Sequence, residues 1–190
     1  DASMYEERAR IPFVVWHPDN PAPGRRVASL VQAVDLFPTL LEAVGRKIPG
    51  GIHGRPLTPI LRGGAADLRT IRDVCSFGRF GEAVHITDGE WTLRAEPDAE
   101  NRPLFWYGQD PRAVQRRVKT PARFDGGRFP VELPRGRMTS ALHRIASDPR
   151  QEKNLIDSET GQGDRLRRRL REFIHEIEAP EEQLLRLGIA

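Results

Sequence analysis

The sequence predicts a mixed α/β chain that opens on a buried strand with covering helices and closes on short antiparallel strands with a helix packed over them. Three observations carry this. Residues 11–16 are the continuous apolar run IPFVVW, rich in β-branched and aromatic side chains, the pattern of a strand buried on both faces. Residues 35–45 read as an amphipathic helix whose start and stop are both written in the chain. From about Arg72 the pattern changes to short strands, among them a hairpin with Asp88-Gly89 at its tip, a strong short-range hairpin signal.

Met4–Arg10 is expected to form a helical turn that delivers the chain into the strand at Ile11, where Pro12 is tolerated because it falls near the strand's beginning. A strand of this kind needs neighbours on both edges, yet only ten residues precede it. The expectation is a chain that starts in the middle of a sheet. A Pro-rich loop, PDNPAPGRR, follows. In the helix Asp35–Gly45, Asp35 is read as the N-cap, Pro38 falls in the first turn, and Gly45 suits the left-handed position past the end. Leu36, Leu40, Leu41 and Val44 form its apolar face. Pro56–Arg62 reads as a shorter helical turn, punctuated by Gly63-Gly64.

Val84–Leu93 is the hairpin, and Pro103–Tyr107 a further strand. Residues 109–137 carry eight basic groups against Asp110, Asp125 and Glu132, and read as a solvated loop or as an excursion facing an anionic ligand. Near the end, Leu166, Leu170, Phe173, Ile174 and Ile177 share one helical face, with Arg165, Arg167, Arg168, Arg169 and Arg171 mostly off it. The apolar stripe argues for docking on a core rather than for nucleic-acid binding.

Composition agrees with a loop-rich protein: 38% hydrophobic, 30% charged, 17 Gly and 16 Pro. The net charge of +3 is too small to argue for nucleic acid, and no apolar run reaches the ~18 residues of a membrane span. Cys75 is the single cysteine, which excludes an internal disulfide. The five histidines, His17, His53, His85, His143 and His175, show no metal-ligand spacing. No serine lies in a Gly-x-Ser-x-Gly elbow, and the paired glycines form no phosphate-binding loop.

Three segments in order, MYEERARIPFVVWHP, VQAVDLFPTLLEAVG with GIHGRPLTPIL, and SDPRQEKNLID, resemble the C-terminal part of an arylsulfatase-like sulfatase of the alkaline phosphatase superfamily. The resemblance implies that residues 1–64 are the end of a sulfatase-like α/β catalytic domain and residues 65–190 a small C-terminal subdomain of antiparallel sheet plus terminal helix. It implies a sulfuric ester hydrolase acting on a sulfate ester, with a formylglycine nucleophile and a divalent cation, calcium or magnesium. In the family nearly all of those groups lie upstream of the Tyr-Glu turn, here Tyr5-Glu6, so no residue of this chain is carried over as catalytic, cofactor-binding or metal-ligating. The implied partner is a missing N-terminal catalytic segment. The chain alone is then expected to be inactive and, with sheet edges exposed, to associate with itself.

Some residues depart from the pattern or imitate it. Cys75-Ser76-Phe77-Gly78-Arg79 has Cys and Arg at formylglycine spacing but Phe at the third position, where the family has Pro or Ala. Leu142-His143-Arg144-Ile145 stands where the family shows Leu-Tyr-Asp-Leu. His53-Gly54 resembles a family turn with a conformational role. Arg79, Arg112 or Arg116 are candidates to meet the non-sulfate part of a substrate. Two other readings remain open: a stand-alone module or pseudoenzyme remnant binding an anionic partner through residues 109–137, and part of a phosphate or phosphonate ester hydrolase of the same superfamily.

Overall fold

The computed structural model describes residues 6–19, 21–64, 72–75, 83–98, 104–107, 128–131 and 139–190. Helix α1, Glu6–Ala9, is a single turn. The run that follows does not form the expected strand: residues 10–17 belong to neither helix nor sheet, and Val14 and Trp16 are 89% and 83% exposed. The reason is the absence of a partner. A strand exists only by pairing its backbone amides and carbonyls with a neighbour, and both sheets among the described residues are built from other segments.

A 3-10 turn, Ala33–Asp35, leads into helix α2, Leu36–Ala43. Its end is as expected, with Gly45 at φ +67° and the Arg46 amide donating to the Leu41 carbonyl at 2.8 Å. Its packing is not. Asp35, Pro38 and Thr39 face inward, whereas Leu36, Leu40 and Val44 are exposed. Helix α3, Thr58–Leu61, buries Ile60 beside Leu57.

Strands β1 (Arg72–Cys75), β2 (Val84–Thr87) and β3 (Trp91–Ala95) precede a separate two-stranded ribbon of β4 (Leu104–Tyr107) and β5 (Arg128–Val131). Strand β5 lies inside the stretch read as a loop. Strand β6, Ala141–Arg144, then returns to the first sheet, whose order is β1-β2-β3-β6 with every pairing antiparallel. The β2–β3 tip is made by side chains: Asp88 Oδ1 accepts the amides of Glu90 and Trp91, and Thr87 Oγ1 donates to the Trp91 carbonyl. Gly89 supplies φ +94°, a conformation that a Cβ disfavours.

Ile86, Leu93 and Leu142 stand side by side on three adjacent strands and are wholly buried. Helix α4, Thr160–Glu176, covers them with Leu166, Leu170 and Ile174. Helix α5, Glu182–Arg186, and the residues after it add Leu184, Leu187 and Ile189. Each wholly buried Leu or Ile here contributes about 1.5–3 kcal/mol, so this core holds the second part of the chain together.

Candidate functional site

The motif residues of the first part serve the scaffold. Asp35, 0% exposed, does not cap α2 as expected. Its carboxylate reaches back to the 3-10 turn and across to a loop, with Oδ2 accepting the Gln32 amide and Oδ1 the Arg55 amide, each at 2.8 Å. Thr39 Oγ1 donates to the Asp35 carbonyl and accepts the Leu57 amide at 2.9 Å. Gly54 fits beneath them: a Cβ there would lie 2.0 Å from the Val34 carbonyl oxygen. His53 is exposed. The segment read as a turn with a conformational role is therefore a loop pinned to α2.

On the outside of this scaffold the chain presents apolar surface. Among the described residues, every exposed large hydrophobic except Leu185 falls between residues 11 and 44. One group is the unpaired run, with Ile11, Val14 and Trp16; another is α2 and its C-cap, with Phe37, Leu40 and Val44, and Val27 and Val34 lie between them in sequence. Exposed large hydrophobics are thus concentrated in one stretch of the chain rather than scattered singly over it.

The sheet has a second buried side, which the sequence reading did not find. Opposite the leucine layer lie His85, Thr87, Thr92, Arg94 and His143, each under 7% exposed. His85 and Arg94 are direct cross-strand partners, as are Thr92 and His143. Arg94 is hydrogen-bonded to Glu96. His143 Nδ1 donates to the Lys153 carbonyl at 2.9 Å and lies 3.6 Å from Asp148 Oδ2. Burial, then Arg94, then His143 push the His85 pKa down to about 4, so this ring is neutral at pH 7. The amides of Lys153 and Glu152 hold the Asp148 carboxyl below its ordinary range.

Those amides belong to the turn Asp148–Leu155, the third motif segment. Asp148 closes it with hydrogen bonds of 3.0 and 2.9 Å from Glu152 and Lys153. Asn154 then stitches it to β6: Oδ1 accepts the Leu142 amide at 2.9 Å, Nδ2 donates to the Ser140 carbonyl, and the Leu155 amide donates to the Leu142 carbonyl at 2.8 Å. The turn thus satisfies backbone groups on the outer edge of the sheet that would otherwise template further strands. Gln151, within the turn, is 6% exposed.

Four of the helix's arginines have partners within the chain. Arg165 pairs with Asp88, Arg167 with Asp164, and Arg169 with Glu172 and Glu176, while Arg171 donates to the carbonyls of Ile189 and Ala190. Burial opposes ionisation of Asp88, but the Trp91 amide, Arg165 and the Glu90 amide outweigh it and lower its pKa. An open cleft of about 660 Å³ beside the hairpin tip is lined by Asp88, Glu90, Arg144, Lys153, Glu159 and Arg165 among others. Its charges balance, with Arg144 on Glu90 at 2.8 Å and over the Trp91 ring.

Cys75 lies at the end of β1, opposite Val84; Ser76–Arg79, Arg112 and Arg116 lie outside the described residues. Of the histidines, His17, His53 and His175 are exposed and His85 and His143 buried. Among the described residues no three His, Cys, Asp or Glu side chains come together as a metal site requires. No described helix is long and apolar enough to cross a membrane.

Comparison with known proteins gives these features a context. The family described as N-sulphoglucosamine sulphohydrolase, C-terminal, matches residues 2–93. Arylsulfatase K of Xenopus laevis is 42% identical over 59 residues, 31% of this chain and 11% of that protein. Steryl-sulfatase of Mus musculus is 41% identical over 63 residues, covering 32% and 10%. N-acetylglucosamine-6-O-sulfatase of Bacteroides thetaiotaomicron is 34% identical over 58 residues, covering 30% and 11%. A solved structure concerned with glycosaminoglycan metabolism by Bacteroides thetaiotaomicron superposes with TM-score 0.56 at 20% identity, over 87% of this chain and 32% of the other. The matches therefore span about a tenth of the curated relatives and a third of that structure.

Proposed function

We propose, for a chain that carries the C-terminal part of a sulfatase, that it serves as the C-terminal portion of a sulfuric ester hydrolase and joins the catalytic part through its apolar surfaces. The observation that carries this reading is the exposure of Ile11–Trp16 and of Leu36, Phe37 and Leu40 on α2. Apolar surface left in water forfeits about 25 cal/mol per Å² of burial, and a strand-patterned run gains hydrogen bonds as well when a neighbour pairs with it.

In this reading residues 1–64 complete an α/β catalytic domain and residues 65–190 form the C-terminal subdomain. The formylglycine and a divalent cation, calcium or magnesium, are carried by a segment outside these residues, where they supply a nucleophile and offset developing negative charge. The described residues assemble no ligand set for such a cation, and their part is to pack and to shape. The substrate is a sulfate ester, aryl or carbohydrate, a class supported by the names of the relatives.

Two measurements test this. An antibody against α4 is expected to detect, in the source cell, a polypeptide more than twice the 21.5 kDa of this chain. That polypeptide is expected to hydrolyse a chromogenic aryl sulfate or a sulfated sugar, and the 190-residue chain alone to hydrolyse neither. Turnover by the chain alone, abolished by Cys75→Ala, would overturn the reading.

A further inference from the structure

We propose that Gln151 is a positioning residue: from a turn of the C-terminal subdomain, its side chain fixes the path of residues 6–17 near the other end of the chain. The inference rests on the reading of Ile11–Trp16 as a docking run, and three observations carry it. First, Gln151 Oε1 accepts the amide of Glu6 at 2.6 Å, a contact spanning 145 residues of sequence. Glu6 opens α1, where backbone amides have no partner within the helix, and the apolar run begins two residues after α1 ends. Second, the polar side chain is 6% exposed, so it is held rather than solvated. Third, Gln151 has φ +55°.

The backbone angle is the most telling of the three. A left-handed residue with a Cβ is strained, and glycine would occupy the position at lower cost. The turn supports that conformation from both sides: the Gln151 amide donates to the Asp148 carbonyl at 3.0 Å, and Asp148 and Asn154 fix the flanks. Nothing in this backbone arrangement requires a long amide side chain. The contact with Glu6 does, and strain tolerated where it aims a side chain points to a role for that side chain.

The test is hydrogen–deuterium exchange on the intact protein, comparing Gln151→Gly and Gln151→Glu with wild type. Glycine removes the side chain and relieves the strain; glutamate keeps an acceptor of the same length. Gln151→Gly is expected to speed exchange in the peptide covering residues 6–10 by tenfold or more, with β2, β3 and α4 unchanged and the thermal midpoint equal or higher. Gln151→Glu is expected to retain slow exchange. Unchanged exchange at residues 6–10 in the glycine variant overturns the proposal, as does an equal rise in β2, β3 and α4, which would mean general support of the fold. Failure of the glycine variant to fold overturns it too, since glycine would then not be tolerated at the left-handed position. The docking reading is judged separately, by association of Val14→Asp and Trp16→Asp variants. Freed residues 6–10 in the glycine variant together with unaltered association in those variants would sink docking and leave positioning standing.

Discussion

At position 54 an added Cβ would lie 2.0 Å from the Val34 carbonyl oxygen and 3.1 Å from Pro38 Cγ, a clash with backbone that no side-chain rotation relieves. Gly54→Ala must push the 52–57 loop off α2 and strain the Asp35 and Thr39 bonds, so we expect a loss of about 3 kcal/mol in denaturant unfolding. Gly50→Ala, which meets nothing within 4 Å, is the control and should change stability by less than about 0.5 kcal/mol. His85 makes a second prediction. Its folded pKa, about 4, lies below its ordinary 6.5. In that window the unfolded chain binds a proton that the folded chain refuses. The stability associated with a neutral His85 is complete above pH 6.5 and is lost as pH falls toward 4, by at most about 1.4 kcal/mol per pH unit. His85→Gln should flatten this part of the profile, and the wild-type minus variant difference between pH 7 and 5 measures it.

At the scale of elements, the apolar run and α2 share one property: their sequence pattern describes an environment the described chain does not supply. Ile11–Trp16 has the composition of an interior strand, yet Val14 and Trp16 stand almost fully exposed. Helix α2 turns Pro38 and Thr39 inward and Leu36, Phe37 and Leu40 outward. For the chain alone we expect concentration-dependent self-association in analytical ultracentrifugation. Val14→Asp or Trp16→Asp should weaken it at least about tenfold, since each removes an exposed apolar side chain whose burial on association would be worth about 1.5–3 kcal/mol. An unchanged sedimentation profile in both variants would remove the run from the interface. The C-terminal elements behave differently: their apolar stripes find partners within the chain, and α4 was legible because Leu166, Leu170 and Ile174 repeat at helical spacing against a sheet that is present.

Across the whole molecule, what could be read from sequence was whatever closes on itself. The fold class, the hairpin at Asp88-Gly89 and the terminal helix depend on local signals and on neighbours within the chain. The strand at Ile11 did not form, because its pairing is nonlocal and no described segment completes it. Asp35 was placed at the right corner with the wrong task, because a cap looks the same in sequence whether the carboxylate turns forward or back. Gln151 was visible only as a member of the segment SDPRQEKNLID, since neither its positive φ nor its contact with Glu6 follows from composition. The polar layer was missed for another reason: VHIT and WTLRA alternate as a half-solvated strand would, yet every residue of both is buried. That two-sided burial has a consequence for how the sheet resists misassembly. A slip of one residue of β2 against β3 would push His85 and Thr87 among the leucines and isoleucines and carry Val84 and Ile86 into the layer of threonines and charges. Neither layer tolerates the other's side chains, so alignments displaced by one residue are disfavoured on both faces at once. The buried histidines and arginine thereby make a zipper that is wrong by one residue worse than the right one.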